Sequence, residues 1–157
     1  MAASALEGKR ILAVDDEPDV LMVLQEEITR GCPTCQFEKA TTYGEAESLL
    51  TTKEYDLVIL DIMGVQGFDL LRVSSNRGFR SMVLTANALT PEALKKSHDL
   101  GARAFLPKEK LGEVVPFLED VLVHEHKSGW ERLLDKLGDY YNERFGSEWR
   151  KKYPFSY

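Results

Sequence analysis

The sequence predicts an α/β domain built on a doubly wound parallel sheet. Short apolar runs of strand length recur along the chain, and each is followed by a segment of helical spacing with its own stop signal. Several of these runs also close on residues able to do chemistry. In a parallel sheet those closing residues open on a single edge, where α/β sheets place their sites.

The first strand, Arg10-Ile-Leu-Ala-Val14, runs into Asp15-Asp16-Glu17. Pro18 can then open a helix, because a first-turn residue has no intrahelical acceptor for an amide proton anyway. Val20, Leu21, Val23, Leu24 and Ile28 continue it at helical spacing, and Gly31 stops it. Gln36–Ala40 reads as the second strand, and Thr42 caps a helix carrying Ala46, Leu49 and Leu50. Leu57–Leu60 is wholly apolar, as a central parallel strand should be, and leads into Asp61. Phe68, Leu70, Leu71 and Val73 mark the third helix, which ends near Gly78. The fourth strand, Arg80–Leu84, closes on Thr85, and Thr90-Pro91-Glu92 caps and starts the next helix. Ala104–Leu106 is the fifth strand, closing on Pro107-Lys108. A fifth helix is expected over Glu113–Val123, where Pro116 is tolerated only near the helix start. Five strand–helix pairs over residues 8–123 predict a flavodoxin-like (βα)5 domain.

Residues 124–157 differ in character. Trp130, Leu133, Leu134, Leu137, Tyr141 and Phe145 fall on one helical stripe in an aromatic-rich segment. The expectation is a helical extension that packs on its own domain or self-associates, in preference to a groove for a foreign protein. Arg144, Arg150, Lys151 and Lys152 read as a solvated face.

Composition narrows the function. The 157 residues are 43% hydrophobic with a net charge of −6, which argues against a nucleic-acid surface. No apolar run approaches the roughly 20 residues of a membrane helix, and the opening residues lack the order of a secretory signal, so cytoplasmic residence is expected. Cys32 and Cys35 lack the further ligands of a zinc site and lie between a helix and a strand. They are expected to be an incidental turn, with an opportunistic disulfide as the minor alternative.

Asp15, Asp16 and Asp61 repel one another unless a cation sits among them. Magnesium takes oxygen ligands of this kind. A carboxylate is a competent nucleophile for forming an aspartyl phosphate. Lys108 offers a point charge to a phosphoryl oxygen and Thr85 a hydroxyl to another.

On these residues the chain resembles the receiver domain of two-component response regulators. The resemblance rests on Val14-Asp15-Asp16-Glu17-Pro18, Leu60-Asp61-Ile62-Met63, Leu84-Thr85-Ala86 and Phe105-Leu106-Pro107-Lys108. It implies that Asp61 is the phosphoacceptor and that Asp16, Asp61 and the Met63 carbonyl hold Mg2+, with Asp15 acting largely through water. Thr85 would be the switch hydroxyl, Lys108 the phosphate-pairing lysine and Phe105 the switch aromatic. It also implies a histidine kinase or phosphotransfer protein as partner. Charge and the lack of a long apolar run point away from nucleic acid and membrane, and the extension, directly after the fifth helix, is placed for a homodimer or protein target engaged through 128–153. The protein would promote its own phosphorylation and dephosphorylation without being an enzyme for other substrates. The chain departs from the family in a shorter loop after Asp61 and in Glu109, which stands where a proline usually follows the lysine.

Two other readings compete, and a third fails earlier. One is a receiver-like interaction module that is no longer phosphorylated. Another is an aspartate-dependent phosphatase, disfavoured because Met63 stands two residues after Asp61 where a second carboxylate is usual. A nucleotide or flavin site lacks its glycine-rich turn.

Overall fold

β3 (Leu57–Asp61) is the central strand of a five-stranded, all-parallel sheet, between β1 (Arg10–Val14) and β4 (Arg80–Thr85), with β2 (Gln36–Ala40) and β5 (Ala104–Pro107) at the edges. The strand order is β2-β1-β3-β4-β5. The computed structural model describes residues 4–86 and 89–156. Every residue of β3 is buried, which explains why its sequence is an unbroken apolar run up to the aspartate.

The crossovers are α1 (Pro18–Gly31), α2 (Tyr43–Thr52), α3 (Gly67–Asn76) and α4 (Pro91–Asp99). The chain steps one way from β1 to β2 and then back across β1 to β3. Right-handed crossovers therefore put α1 on one face and α2, α3 and α4 on the other. Helix α5 (Val114–Val123) returns to the first face and packs on α1. Thr42 and Thr90 cap α2 and α4 by accepting the amides of Glu45 and Ala93. A 3-10 turn, Lys108–Glu113, separates β5 from α5. It starts the helix at Val114 and places Pro116 in the first turn, where its missing donor costs nothing.

The remaining chain forms α6 (His126–Phe145) and a single turn, α7 (Trp149–Lys152). Helix α6 packs on α5 and β5, so its apolar stripe is used within the chain. Trp130 and Tyr141 are fully buried. The Trp130 indole donates to the Ala102 carbonyl at 2.8 Å, and the Tyr141 hydroxyl donates to the Phe105 carbonyl. Phe155 stacks on His98 of α4 at 4.2 Å and meets Trp130 edge-on. Arg80 fastens the junction: its Nη1 donates to the carbonyls of Val121, Leu122 and His124, which α5 leaves unpaired at its end. Cys32 and Cys35 are both free thiols in the turn after α1, and the Cys32 amide closes that helix on Ile28.

Candidate functional site: an acidic rim at the strand ends

The sheet reverses its strand order between β1 and β3, and a crevice opens there at the carboxyl ends of the strands. Val14 pairs with Leu60, so one step further both strands carry an aspartate, Asp15 and Asp61. Asp61 is level with Leu84, and Thr85 is level with Pro107. Thr85 and Lys108 therefore follow on the same edge.

Asp15, Asp16 and Asp61 present oxygens within 4.8 Å of one another. Asp15 and Asp61 are buried, whereas Asp16 is exposed. The two buried carboxylates are held alike. Asp15 Oδ1 accepts the Glu17 amide at 2.9 Å, and Asp61 Oδ1 accepts the Met63 amide at 3.3 Å. In each case the backbone turns back on its own aspartate. Their other oxygens face Lys108 Nζ, at 2.9 Å from Asp15 and 3.6 Å from Asp61. The Asp15 contact lacks the alignment of a hydrogen bond. The aligned bond of Lys108 goes to Glu17 Oε1 at 3.0 Å. Thr85 and Phe105 are both buried, and the Phe105 ring lies 6.3 Å from that of Tyr141.

The short loop after Asp61 depends on glycine. Gly64 has φ +80°, and a Cβ there would lie 2.3 Å from Asp16 Oδ2. Gly67 opens α3 against the strand end, where a Cβ would lie 2.2 Å from the Asp61 carbonyl oxygen. Gly64 thus brings bare backbone to the acidic cluster, and Gly67 lets the helix start in so few residues.

Burial pushes Asp61 up to about 6, and repulsion from Asp15 and Asp16 adds to it against the pull of Lys108. Burial likewise raises Asp15, opposed by the Glu17 amide and Lys108. Burial alone would lower Lys108, but the carboxylates of Asp15, Glu17 and Asp61 beside it outweigh that and hold the ammonium above its ordinary value. Near neutral pH, then, Asp61 is an ionised carboxylate with one cationic neighbour among several acids.

That charge balance favours a divalent cation. The donors are all oxygen, the set a hard ion takes. Asp15 Oδ2, buried and without an aligned hydrogen bond, keeps a lone pair for a water on such an ion. Asp15, Asp16 and Asp61 therefore fit Mg2+. The sequence did not single out Glu17 as a grip on Lys108. Its only signal was its place in the acidic trio closing β1.

The family model for the response regulator receiver domain matches residues 11–115. The chain belongs to that family. It is 33% identical over 125 residues to the sensory/regulatory protein RpfC of Xanthomonas campestris pv. campestris strain 8004, covering 73% of this chain and 16% of RpfC. It is 35% identical over 95 residues to the two-component response regulator ORR24 of Oryza sativa subsp. indica, covering 56% of this chain and 14% of that protein. It therefore spans only a small part of the curated relatives it matches.

Among solved structures, a two-component response regulator of the LuxR family from Aurantimonas sp. SI85-9A1 superposes with a TM-score of 0.66 at 23% identity, over 83% of this chain and 98% of that one. A CheY-like receiver domain protein from Methanospirillum hungatei JF-1 gives 0.58 at 24%, over 87% and 98%. At these identities the likeness is one of fold. Receiver domains are signalling modules that bind Mg2+ in an acidic pocket, and the corresponding cluster is present in this receiver. No described helix is long and apolar enough to cross a membrane.

Proposed function

We propose that this receiver accepts a phosphoryl group on Asp61 from the phosphohistidine of a histidine kinase or phosphotransfer protein. The bond from phosphorus to the imidazole nitrogen breaks as a bond to an Asp61 oxygen forms, and the freed imidazole takes a proton. Water later attacks phosphorus and restores the carboxylate. The convergence of Asp15, Asp16 and Asp61 with Lys108 carries this reading.

Asp61 is the nucleophile, kept ionised near neutral pH although burial raises it. Asp16, Asp61 and the Met63 carbonyl would hold Mg2+, with Asp15 acting through water. The ion would supply charge neutralisation at the phosphoryl oxygens, the main demand of phosphoryl transfer. Lys108 turns from Glu17 to a phosphoryl oxygen, and Thr85 donates its hydroxyl to another. Movement of Thr85 is passed to Phe105, and from there to the surface of α4, β5 and α5. Residues 8–123 form the receiver unit and residues 124–157 its extension. Docking of 128–153 to a second copy or a target requires release of α6 from its own domain. A module kept only for protein contacts would have no use for two buried, mutually repelling carboxylates.

Beryllofluoride, an aspartyl-phosphate mimic, tests this reading. Titrated with Mg2+, it should bind the wild type, and binding should be abolished in Asp61→Asn and by chelation of the ion. Folded wild-type protein that fails to bind in Mg2+ overturns the proposal.

A further inference from the structure

Lys108 lies on a segment that α6 grips on both sides. Upstream, the buried Tyr141 donates its hydroxyl to the Phe105 carbonyl. Downstream, the Tyr140 hydroxyl and Arg144 Nη2, the latter at 2.6 Å, converge on the same oxygen of Glu109. Residues 140 and 144 are one helical turn apart and share a face, and the Arg144 guanidinium lies 4.6 Å from the Tyr140 ring centre. Between the two grips, Pro107 has its φ fixed at −64° by its ring. The Lys108 side chain leaves this fastened segment in the other direction, towards Asp15, Glu17 and Asp61. A groove of about 310 Å³ runs from Thr85 and Lys108 to Tyr140 and Arg144, so the grip and the rim border the same space.

We infer that α6 is a positioning element for the phosphoryl-binding lysine: Tyr140, Tyr141 and Arg144 hold the segment from Phe105 to Glu109 so that the Lys108 ammonium is aimed at Asp61. The inference rests on the phosphoacceptor reading above and extends it. Glu109 adjoins Lys108, so a hold on its carboxylate from α6 is a hold on the backbone that carries the lysine. Binding free energies are reciprocal, so a phosphoryl mimic that engages Lys108 also tightens the seat of α6.

The test uses the full chain and beryllofluoride in Mg2+, with the affinity for Mg2+ alone measured beside it. The grip at Glu109 is half-exposed, so Arg144→Met and Tyr140→Phe should each weaken beryllofluoride about two- to fivefold, the range expected of exposed polar pairs. Tyr141→Phe removes a buried hydrogen bond and should weaken it about fivefold to tenfold. Affinity for Mg2+ alone should stay unchanged, because the carboxylates are not held by α6; a general loosening would weaken both ligands together. The charge exchange Glu109→Arg with Arg144→Glu should recover most of the loss. In the wild type, beryllofluoride should slow hydrogen exchange across residues 126–145, a readout that needs no variant.

Wild-type beryllofluoride affinity in folded Arg144→Met, Tyr140→Phe and Tyr141→Phe overturns the positioning role and leaves the phosphoacceptor reading intact. Unchanged exchange in α6 on binding, or equal losses for Mg2+ and beryllofluoride, does the same. A wild type that does not bind beryllofluoride removes both.

Discussion

The acidic rim and the aromatic seam under α6 both contain buried polar groups, but burial has opposite consequences in them. At the rim, Asp15 and Asp61 lie close together beneath the surface, and burial raises both carboxylates. Lys108 balances only part of that charge. In the seam, the buried rings of Trp130, Tyr141 and Trp149 each hide a broad apolar face and find a partner for the polar tip. Trp130 donates to Ala102, Tyr141 to Phe105, and Trp149 to Asn142 Oδ1 at 3.0 Å. An aromatic buried with its donor satisfied stabilises the fold. A carboxylate buried beside another destabilises it until a cation arrives. The rim is thus arranged for chemistry at a cost in stability, and the seam adds stability elsewhere in the same chain.

The contrast can be broken most forcefully at the seam. Trp130→Ala should destabilise the protein by about 3–5 kcal/mol, read as a lower urea midpoint, because it removes a fully buried ring and its hydrogen bond together. A loss under about 1 kcal/mol would mean that α6 is not a fixed part of the fold.

A change of opposite sign is expected at the rim. Asp61 is raised from 3.8 to about 6. Its contribution to stability is therefore complete below 3.8 and is lost as pH rises through about 6. Without divalent ions near pH 7, Asp61→Asn should be more stable than the wild type by about 1–3 kcal/mol, the equivalent of the raised value. The advantage should shrink towards pH 4. Equal stability at both pH values would show that Lys108 already neutralises the pocket.

The smallest effect sharpens the comparison at Gly64. With φ at +80° and a Cβ position 2.3 Å from Asp16 Oδ2, Gly64→Ala should cost about 1 kcal/mol of stability. It should weaken Mg2+ binding severalfold by displacing Asp16, as calorimetric titration would detect. Wild-type affinity for Mg2+ would remove Asp16 from the ligand set.

The rim was largely legible in the sequence because parallel pairing makes its logic simple. Apolar runs that end in Asp15, Asp61, Thr85 and Lys108 must, once aligned, present those residues on one edge. Helix starts were legible for the same local reason: Thr42 and Thr90 carry their capping oxygens in sequence view. What stayed hidden depends on long-range placement. The stripe from Trp130 to Phe145 shows that α6 buries one face, but not that the buried face lies on β5 and α5. Arg80 reads as a strand residue, and its role at the end of α5 appears only when the two meet in space. Glu109 reads as a departure from the family, and its partners lie far along the chain in α6. The fifth helix begins at Val114 because Lys108–Glu113 forms a 3-10 turn, which apolar spacing does not register.

The chemistry can be read directly by peptide-resolved mass spectrometry of the full chain after treatment with phosphoramidate in Mg2+. A phosphoryl group should appear on the peptide that contains Asp61 and be absent from Asp61→Asn. A label that persists in folded Asp61→Asn, or that settles on a peptide away from the β1–β3 rim, would contradict Asp61 as the acceptor.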